Sequence, residues 1–315
     1  MKIVFFGSGA FAVPILEALH AGRHDVAAVV TQPDRRKGRH LHLAPTPVKE
    51  TAHAHGIAIL QPVDIHAPAL ADALRRFNAD AFVVVSYGHI LPDTLLGIPS
   101  RMCVNIHASL LPAYRGAAPI QRALMAGERV TGVTFIRMDK RMDRGDILLR
   151  KRIRIGPADD AFSLEAKLAR CACGSIHRVL ALLERGKLRP VRQDERKASY
   201  APKLKKEDGR IDWSQTSRMV MARFRGCAGW PGSFTTWQGR RLIITAMAPG
   251  RRFRTGAPGE ILARSPRGLE IACGRGSVLV RELVPESHPK TSASSFAAAH
   301  GAACGARLGT ATENT

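Results

Sequence analysis

The first half of the chain alternates short apolar runs with segments of helical periodicity. The apolar runs predict strands at residues 3–6, 26–30, 57–60, 81–85, 103–106, 133–138 and 147–155. Amphipathic spacing predicts helices, most clearly over residues 68–77 and 163–184. This alternation is typical of an α/β fold with a doubly wound parallel sheet, and the last two strands predict an antiparallel extension of that sheet.

The pattern changes after residue 185. Residues 186–209 are rich in charge and contain two prolines, which is typical of an exposed connector between domains. Short β-like segments follow at residues 211–213, 232–237, 241–246, 259–263, 269–273 and 277–283. Such a series of short strands favours a small, closed β-barrel. The length of 315 residues also suits two domains.

Positive charge is concentrated in the later part of the chain. Residues 1–100 carry 9 basic and 8 acidic side chains, whereas residues 101–315 carry 39 and 18, and the net charge is +22. A field of this size favours a polyanion, because each neutralised phosphate releases counterions. We therefore expect a nucleic-acid partner. A generally high arginine content is the alternative explanation, but it does not account for the shortage of carboxylates.

Neither a membrane segment nor a metal site is indicated by the sequence. No apolar run approaches the roughly 20 residues that span a bilayer, and the N-terminus lacks the pattern of a signal peptide, so we expect a cytoplasmic protein. The six cysteines form no C-x-x-C pair. The pairs His40/His42 and His53/His55 have ligand spacing but no obvious third ligand, so we expect no metal.

Two segments near the N-terminus allow more than one interpretation. Gly7-Ser8-Gly9 and Ala12 match a dinucleotide fingerprint, which would bind NAD. However, Asp34 lies in a turn and not at a strand end facing a ribose, which favours a structural tight turn. Residues 34–47 form a loop without periodicity that crowds four basic residues into five positions. This loop is either a phosphate clamp or a solvated basic surface.

The strongest chemical pattern begins at residue 105. Asn105 and His107 are two apart, so at the end of a strand they project from the same face. Asp143 and Asp146 flank Gly145, whose turn could bring one carboxylate to the imidazole. An amide, an imidazole and a carboxylate suit stabilisation of an oxyanion and proton movement. The alternative is a histidine and an asparagine that are purely structural.

Longer motifs resemble a known family. The chain contains S-Y-G-H-I-L-P at 86–92, V-N-I-H-A-S-L-L-P-A-Y-R-G-A-A-P-I-Q at 104–121, T-G-V-T at 131–134 and M-D-R-G-D-I at 142–147. Together these segments resemble the folate-dependent formyltransferases. The bacterial methionyl-tRNA formyltransferase branch is matched by F-G-S-G-A-F-A-V-P, T-Q-P-D-R-R-K-G-R, Q-P-V, Y-A-P-K-L, R-I-D-W and W-P-G-S-F. The resemblance runs through nearly the whole chain and thins after residue 287.

The resemblance implies a fold and a site. It implies a Rossmann-like catalytic domain over residues 1–188, a linker over 189–207 and an OB-like barrel over 208–315 that binds tRNA. The implied catalytic residues are Asn105, His107 and Asp143. The implied folate-binding residues are Tyr87, Gly88, Ile90, Leu91, Pro92, Ser109, Leu110, Leu111 and Pro112. The implied tRNA-binding residues are Arg35, Arg36, Lys37, Gly38 and Arg39.

The resemblance also implies an activity. The formyl group of 10-formyltetrahydrofolate, the co-substrate, would be transferred to the α-amine of methionyl initiator tRNA for translation initiation, with no metal and no covalent enzyme intermediate. We expect a cytoplasmic monomer. Within the same fold, glycinamide ribonucleotide formyltransferase is the nearest alternative, but it would not need a basic C-terminal domain. An NAD-dependent oxidoreductase and a noncatalytic RNA-binding protein are the alternatives from other classes.

Overall fold

The computed structural model describes residues 1–37, 42–251 and 256–309, and the chain divides into two compact units. The first unit comprises Met1–Pro119, Val130–Arg154 and Ser163–Pro202. The second comprises Ile120–Arg129, Ile155–Phe162 and Lys203–Thr315.

A seven-stranded sheet forms the centre of the first unit. The strands of this unit are β1 (Lys2–Gly7), β2 (Asp25–Val30), β3 (Arg35–Lys37), β4 (His42–Ala44), β5 (Ala58–Leu60), β6 (Ala81–Val85), β7 (Met102–His107), β8 (Val130–Arg137) and β9 (Ile147–Arg154). The sheet order is β5-β2-β1-β6-β7-β8-β9, while β3 and β4 form a separate hairpin. The strands from β5 to β7 in this order are parallel, and β8 and β9 add antiparallel pairs. The predicted doubly wound sheet and its antiparallel extension are confirmed.

Helices accompany this sheet along the chain. The helices up to residue 184 are α1 (Val13–His20), α2 (Pro47–Ala54), α3 (Pro68–Arg75), α4 (Asp93–Leu96), α5 (Pro119–Met125) and α6 (Ala161–Glu184), of which α5 belongs to the second unit apart from Pro119. All five residues of β6 are buried, as are the last five of β1. Burial of both faces explains why these strands have continuous apolar runs instead of alternating ones.

The second unit contains an antiparallel sheet and two further helices. Its strands are β10 (Ser233–Trp237), β11 (Arg240–Pro249), β12 (Ile261–Ser265), β13 (Gly268–Ala272), β14 (Ser277–Pro285) and β15 (Thr291–Ser292), in the order β10-β11-β14-β13-β12 with β15 on β14. Helices α7 (Ser217–Gly226) and α8 (Ala293–Ala299) contribute Val220 and Phe296 to its core. Five of the six predicted strands are confirmed. The prediction of a strand at 211–213 is wrong, since Ile211 and Trp213 join the core without forming a strand.

The predicted connector is only partly exposed. It contains two short 3₁₀ helices, Glu195–Lys197 and Lys206–Gly209. Most of its charged side chains face solvent, but Gln193 and Ala201 are buried. Residues 189–202 of this segment belong to the compact unit that contains the large sheet.

A buried histidine lies beside the amino group of Met1. His24 is 4% exposed, its Nδ1 is 3.3 Å from the Met1 amine, and its Nε2 has no hydrogen-bond partner among the described residues. Burial lowers the pKa of His24 below its ordinary value, and the Met1 amine and Arg23 lower it further by charge repulsion. The imidazole is therefore more costly to protonate in the folded protein than in the unfolded chain.

No helix in the described part of the chain is long and apolar enough to cross a lipid bilayer.

Candidate active site

A cavity of about 380 Å³ lies where β6 and β7 end. Its lining residues are Phe11, Val84, Ser86, Tyr87, Gly88, His89, Ile90, Asn105, Ile106, His107, Ala108, Gly116, Ala117, Pro119, Ile136, Met138, Asp139, Arg141, Met142 and Asp143. The carboxyl ends of parallel strands are where open α/β sheets bind ligands. Ser86 and Gly88 have positive φ angles of 47° and 88°, which turn the chain along the cavity wall directly after β6.

The three predicted catalytic side chains meet in this cavity. Asn105 and His107 project from one face of β7, as the two-residue spacing predicts. The Asn105 Nδ2 donates to Asp143 Oδ1 at 3.2 Å, and His107 Nδ1 is 3.5 Å from the same oxygen. His107 and Asp143 have side chains that are 7% and 11% exposed. The Asp143 carboxylate thus connects the Asn105 amide and the His107 imidazole at the carboxyl end of β7.

The second nitrogen of the imidazole also has a defined partner. His107 Nε2 is 2.8 Å from the carbonyl oxygen of Tyr114. A carbonyl oxygen only accepts hydrogen bonds, so Nε2 carries a proton in this contact. The ring is therefore held between the Tyr114 carbonyl and the Asp143 carboxylate, which fixes its orientation in the cavity.

The turn that contains Asp143 has a backbone conformation that few residues can adopt. Asp143 has a φ of 53°, in the left-handed region, and its Oδ2 accepts a hydrogen bond from the Gly116 backbone N–H at 2.9 Å. A Cβ at Gly145 would collide with the carbonyl oxygen of Arg137, so only glycine fits there. The turn thus places the Asp143 carboxylate against the loop that follows β7.

The second acid of the motif plays a different part. Asp146 directly follows Gly145, and its backbone carbonyl accepts from the Arg137 N–H at 2.9 Å. Among the described residues, none donates a hydrogen bond to the Asp146 carboxylate. Asp146 is also absent from the cavity lining, so of the two carboxylates only that of Asp143 faces the cavity.

The predicted folate-binding residues fall into two groups. Tyr87, Gly88 and Ile90 line the cavity. The others are not part of its lining: Leu91 and Leu111 are fully buried, Pro92 precedes α4, and the Ser109 hydroxyl donates to the Ala113 carbonyl at 2.6 Å. Leu110 and Pro112 lie in the same turn as Ser109. The assignment of these nine residues to folate stays a prediction.

Tyr87 combines an apolar contact with a polar group. Its ring packs edge-on against Phe6, with 5.4 Å between the ring centroids. Burial raises the pKa of Tyr87 to about 12, so the phenol keeps its proton at neutral pH. Tyr87 can therefore act as a hydrogen-bond donor in the cavity wall.

The predicted basic loop contains a β-hairpin. Strands β3 and β4 pair Arg35 with Ala44 and Arg36 with Leu43, so the expectation of a loop without regular structure is wrong. Arg35 and Arg36 are exposed. The predicted tRNA-binding residues Gly38 and Arg39 lie outside the described residues, as does the side chain of Lys37.

Gln32 joins the base of this hairpin to the cavity wall. Its side-chain oxygen accepts from Arg35 at 3.2 Å, and its amide nitrogen donates to the Tyr87 carbonyl at 3.3 Å.

The acid that follows Gln32 is held by protein donors. Asp34 accepts from Lys49 and Gln61, each at 2.7 Å. The hydrogen bond from Lys49 is the main reason that the pKa of Asp34 is lowered. Because this carboxylate is already occupied, the ribose contact that NAD binding would need is disfavoured.

The packing around the turn after β1 explains why it contains glycine. A Cβ at Gly7 would lie 2.7 Å from the Phe5 ring and 3.0 Å from the Val85 carbonyl oxygen. The Ser8 hydroxyl accepts from the Gln32 backbone N–H at 3.0 Å, which fixes the turn against the neighbouring loop. These contacts favour the tight-turn interpretation.

The described residues contain no group of three or more histidine, cysteine or acidic side chains that could hold a metal ion. Of the two histidine pairs, His53 and His55 lie at the end of α2, while His40 falls outside the described ranges.

Comparison with known proteins identifies the family. A family model described as formyl transferase matches residues 1–180, and one described as formyl transferase, C-terminal domain, matches residues 203–301. The methionyl-tRNA formyltransferase of Geobacter sulfurreducens is 44% identical over 311 residues, which cover 99% of this chain and 98% of that protein. The chain belongs to the methionyl-tRNA formyltransferase family. The resemblance seen in the sequence motifs is confirmed, and membership of this family makes the chain a transferase.

Solved structures share the fold of this formyltransferase. HypX from Aquifex aeolicus, in complex with tetrahydrofolic acid, gives a TM-score of 0.66 at 18% identity over 94% of this chain, which spans 47% of HypX. An N-formyltransferase from Helicobacter canadensis, in complex with folinic acid and dTDP-3-aminofucose, gives 0.67 at 15% identity, covering 89% of this chain and 98% of that one. At these identities the likeness is one of fold, and the predicted α/β domain followed by a β domain is confirmed.

Sequence reasoning missed several residues around the formyltransferase cavity. Phe11, Ile136 and Arg141 line it, although the motifs assigned them no role. The sequence pattern gives no signal for Gln193 either, because it lies in the charged segment that is typical of a connector.

Proposed function

We propose that the chain transfers the formyl group of 10-formyltetrahydrofolate to the α-amine of methionyl initiator tRNA. The observation that carries this proposal is the 44% identity to a methionyl-tRNA formyltransferase over 99% of the chain. The meeting of Asn105, His107 and Asp143 in one cavity supports it. The product, N-formylmethionyl-tRNA, serves translation initiation.

Asn105 and His107 stabilise the negative charge that develops on the formyl oxygen. The Asn105 amide donates one hydrogen to Asp143 and keeps a second for the substrate. His107 can share its Nε2 proton between the Tyr114 carbonyl and an oxygen in the cavity, because one N–H can serve two acceptors. Donors fixed in place before the reaction stabilise such charge without rearrangement.

Asp143 orients the donors and helps to move a proton. Its carboxylate holds the Asn105 amide and faces His107 Nδ1. Through a water molecule, the carboxylate helps to carry the proton of the attacking amine towards the departing folate nitrogen. The reaction needs no covalent enzyme intermediate, because the amine attacks the formyl carbon directly.

The cavity suits the folate co-substrate. Val84, Ile106 and Ile136 offer apolar surface for a flat ring, and the backbone around Tyr87 and Gly88 offers hydrogen-bonding groups. 10-Formyltetrahydrofolate supplies the formyl carbon as the electrophile. Tyr87, Gly88 and Ile90 contact it from the lining. We assign Leu91, Pro92, Ser109, Leu110, Leu111 and Pro112 to the support of the folate-binding walls.

The basic residues bind the RNA substrate. Arg35, Arg36, Lys37, Gly38 and Arg39 meet the acceptor end near the reactive amine. The C-terminal domain adds a broader field, since residues 201–315 carry 18 basic and 8 acidic side chains. The proposed domains are a catalytic domain over 1–188, a linker over 189–207 and a tRNA-binding domain over 208–315. The protein acts as a cytoplasmic monomer.

One assay tests this function. The purified protein is incubated with 10-formyltetrahydrofolate and radiolabelled methionyl-tRNA, and formylmethionine is measured after deacylation. We expect formylmethionine to form, and none to form when the folate is omitted. Glycinamide ribonucleotide offered as the acceptor tests the alternative formyltransferase, and NADH fluorescence titration tests the oxidoreductase. Formylation of the ribonucleotide but not of methionyl-tRNA would contradict the proposed function.

A further inference from the structure

A buried glutamine lies behind the catalytic turn. Gln193 is 4% exposed, although the residues around it in the chain are largely exposed. Its amide nitrogen donates to the carbonyl oxygens of Asp143 and Gly145, both at 2.8 Å. It therefore holds both ends of the turn from Asp143 to Gly145 through the backbone.

The other end of the same amide holds a buried arginine. The Gln193 side-chain oxygen accepts from Arg115 Nε at 3.1 Å and from a terminal guanidinium nitrogen at 2.8 Å. The partners fix the orientation of the amide, because carbonyl oxygens only accept and a guanidinium only donates. Arg115 is 4% exposed and also forms a two-point contact with Glu195, at 2.9 and 3.0 Å.

Arg115 lies in the loop after β7, which is the second backbone segment that contacts the catalytic side chains. The residue before it, Tyr114, supplies the carbonyl oxygen that accepts from His107 Nε2. The residue after it, Gly116, supplies the N–H that donates to Asp143 Oδ2. A displacement of Arg115 thus moves one partner of the imidazole and one partner of the carboxylate.

We propose that Gln193 is a positioning residue that sets the placement of His107 against Asp143 during formyl transfer. One side-chain amide joins the turn that carries the carboxylate to the loop that orients the imidazole. Gln193 does not line the cavity, so it acts through these two backbone segments and not on the substrate. This inference rests on the proposed function, because it assigns Gln193 to that reaction.

The substitution Gln193→Glu tests the positioning role with little change in size. The carboxylate keeps an oxygen for Arg115, but it replaces the donating nitrogen by an oxygen that faces two carbonyl oxygens. We expect kcat to fall by about 100-fold, the scale of a displacement of about 1 Å at a reacting group. The KM for 10-formyltetrahydrofolate should change much less than kcat, since Tyr87, Gly88 and Ile90 are neither substituted nor in contact with the altered side chain.

Two measurements separate positioning from mere stability. The ¹⁵N resonances of the His107 imidazole report its contacts with Asp143 and Tyr114, and we expect them to shift in the Glu variant. Thermal unfolding gives the folded fraction under the assay conditions. Arg196→Gln is the matched control: Arg196 lies three residues away, its side chain is 89% exposed, and its ion pair is with Asp194. This control should keep wild-type kcat and wild-type His107 resonances.

Specific results would overturn the inference. A folded Gln193→Glu enzyme with wild-type kcat would do so. So would a loss of activity that matches the loss of folded protein while the His107 resonances stay in place. A failure of the proposed function is seen separately, as an absence of formyl transfer by the unaltered enzyme, and the imidazole spectra still test the geometry in that case.

Discussion

Replacing Asp143 by asparagine removes a charge without removing bulk. In the wild-type protein, Oδ1 accepts from Asn105 at 3.2 Å and Oδ2 accepts from the Gly116 N–H at 2.9 Å. An asparagine can accept only one of these bonds. In either orientation of its amide, the NH₂ group faces a donor, and the negative charge 3.5 Å from His107 Nδ1 is lost.

The size of the expected decrease in kcat follows from these contacts. A hydrogen bond to a charged group contributes about 1.5–3 kcal/mol. A change of about 1.4 kcal/mol in the activation barrier is tenfold in rate. Loss of one such bond therefore lowers kcat by roughly 10- to 100-fold, and the lost attraction to the imidazole adds to this. Single-turnover formylation of methionyl-tRNA, quenched on the timescale of the reaction, measures the effect directly.

Asp146→Asn is the matched comparison. It alters a carboxylate beside the same turn to which no described residue donates a hydrogen bond, so activity should be unchanged and stability should shift by less than about 0.5 kcal/mol. An Asp143→Asn enzyme that keeps near wild-type kcat, or an equal loss in both variants, would show that the Asp143 carboxylate does not orient the two donors during catalysis.

Three further variants probe other parts of the molecule. Gly145→Ala should destabilise the protein by about 1–3 kcal/mol in urea unfolding, because the added methyl collides with a backbone carbonyl. Wild-type stability should decline as pH falls below about 6.5, since the lowered folded-state pKa of His24 leaves more protons on the unfolded chain, and His24→Asn should reduce this decline. Arg35→Gln combined with Arg36→Gln should lower kcat/KM for methionyl-tRNA while folate binding stays unchanged. The log–log salt slope should fall by about 0.7–0.9 for each phosphate that these arginines neutralise in the wild-type complex, and an unchanged slope would argue against phosphate binding by them.

The sequence predicted the large sheet well for a physical reason. Strands β1 and β6 are buried on both faces, so their apolar runs are continuous and easily recognised. The hairpin of β3 and β4 is hard to predict because each strand has only three residues and β3 consists of basic residues alone, so the segment carries little apolar pattern. The segment at 211–213 was mistaken for a strand because Ile211 and Trp213 are buried two residues apart, which mimics β alternation.

The site was predictable to the extent that it depends on local spacing. Asn105 and His107 share a face because they alternate along β7. Asp143 was identified through its motif, but its contacts with Asn105 and Gly116 depend on how β7 and β8 are placed in the sheet. Gln193 could not be found in this way, because its hydrogen bonds join segments 48 to 78 residues apart and nothing in its local sequence marks them.

The long separation between Gln193 and Arg115 has a consequence for synthesis of the chain on the ribosome. Translation proceeds at roughly 5–20 residues per second, so residues 1–188 leave the ribosome before Gln193 does. Asn105, His107 and Asp143 are then all present, but the amide that joins their supporting backbone segments is not. This support of the site thus arrives only with the segment that contains Gln193, and a nascent chain that stops short of residue 193 has its reactive groups without it.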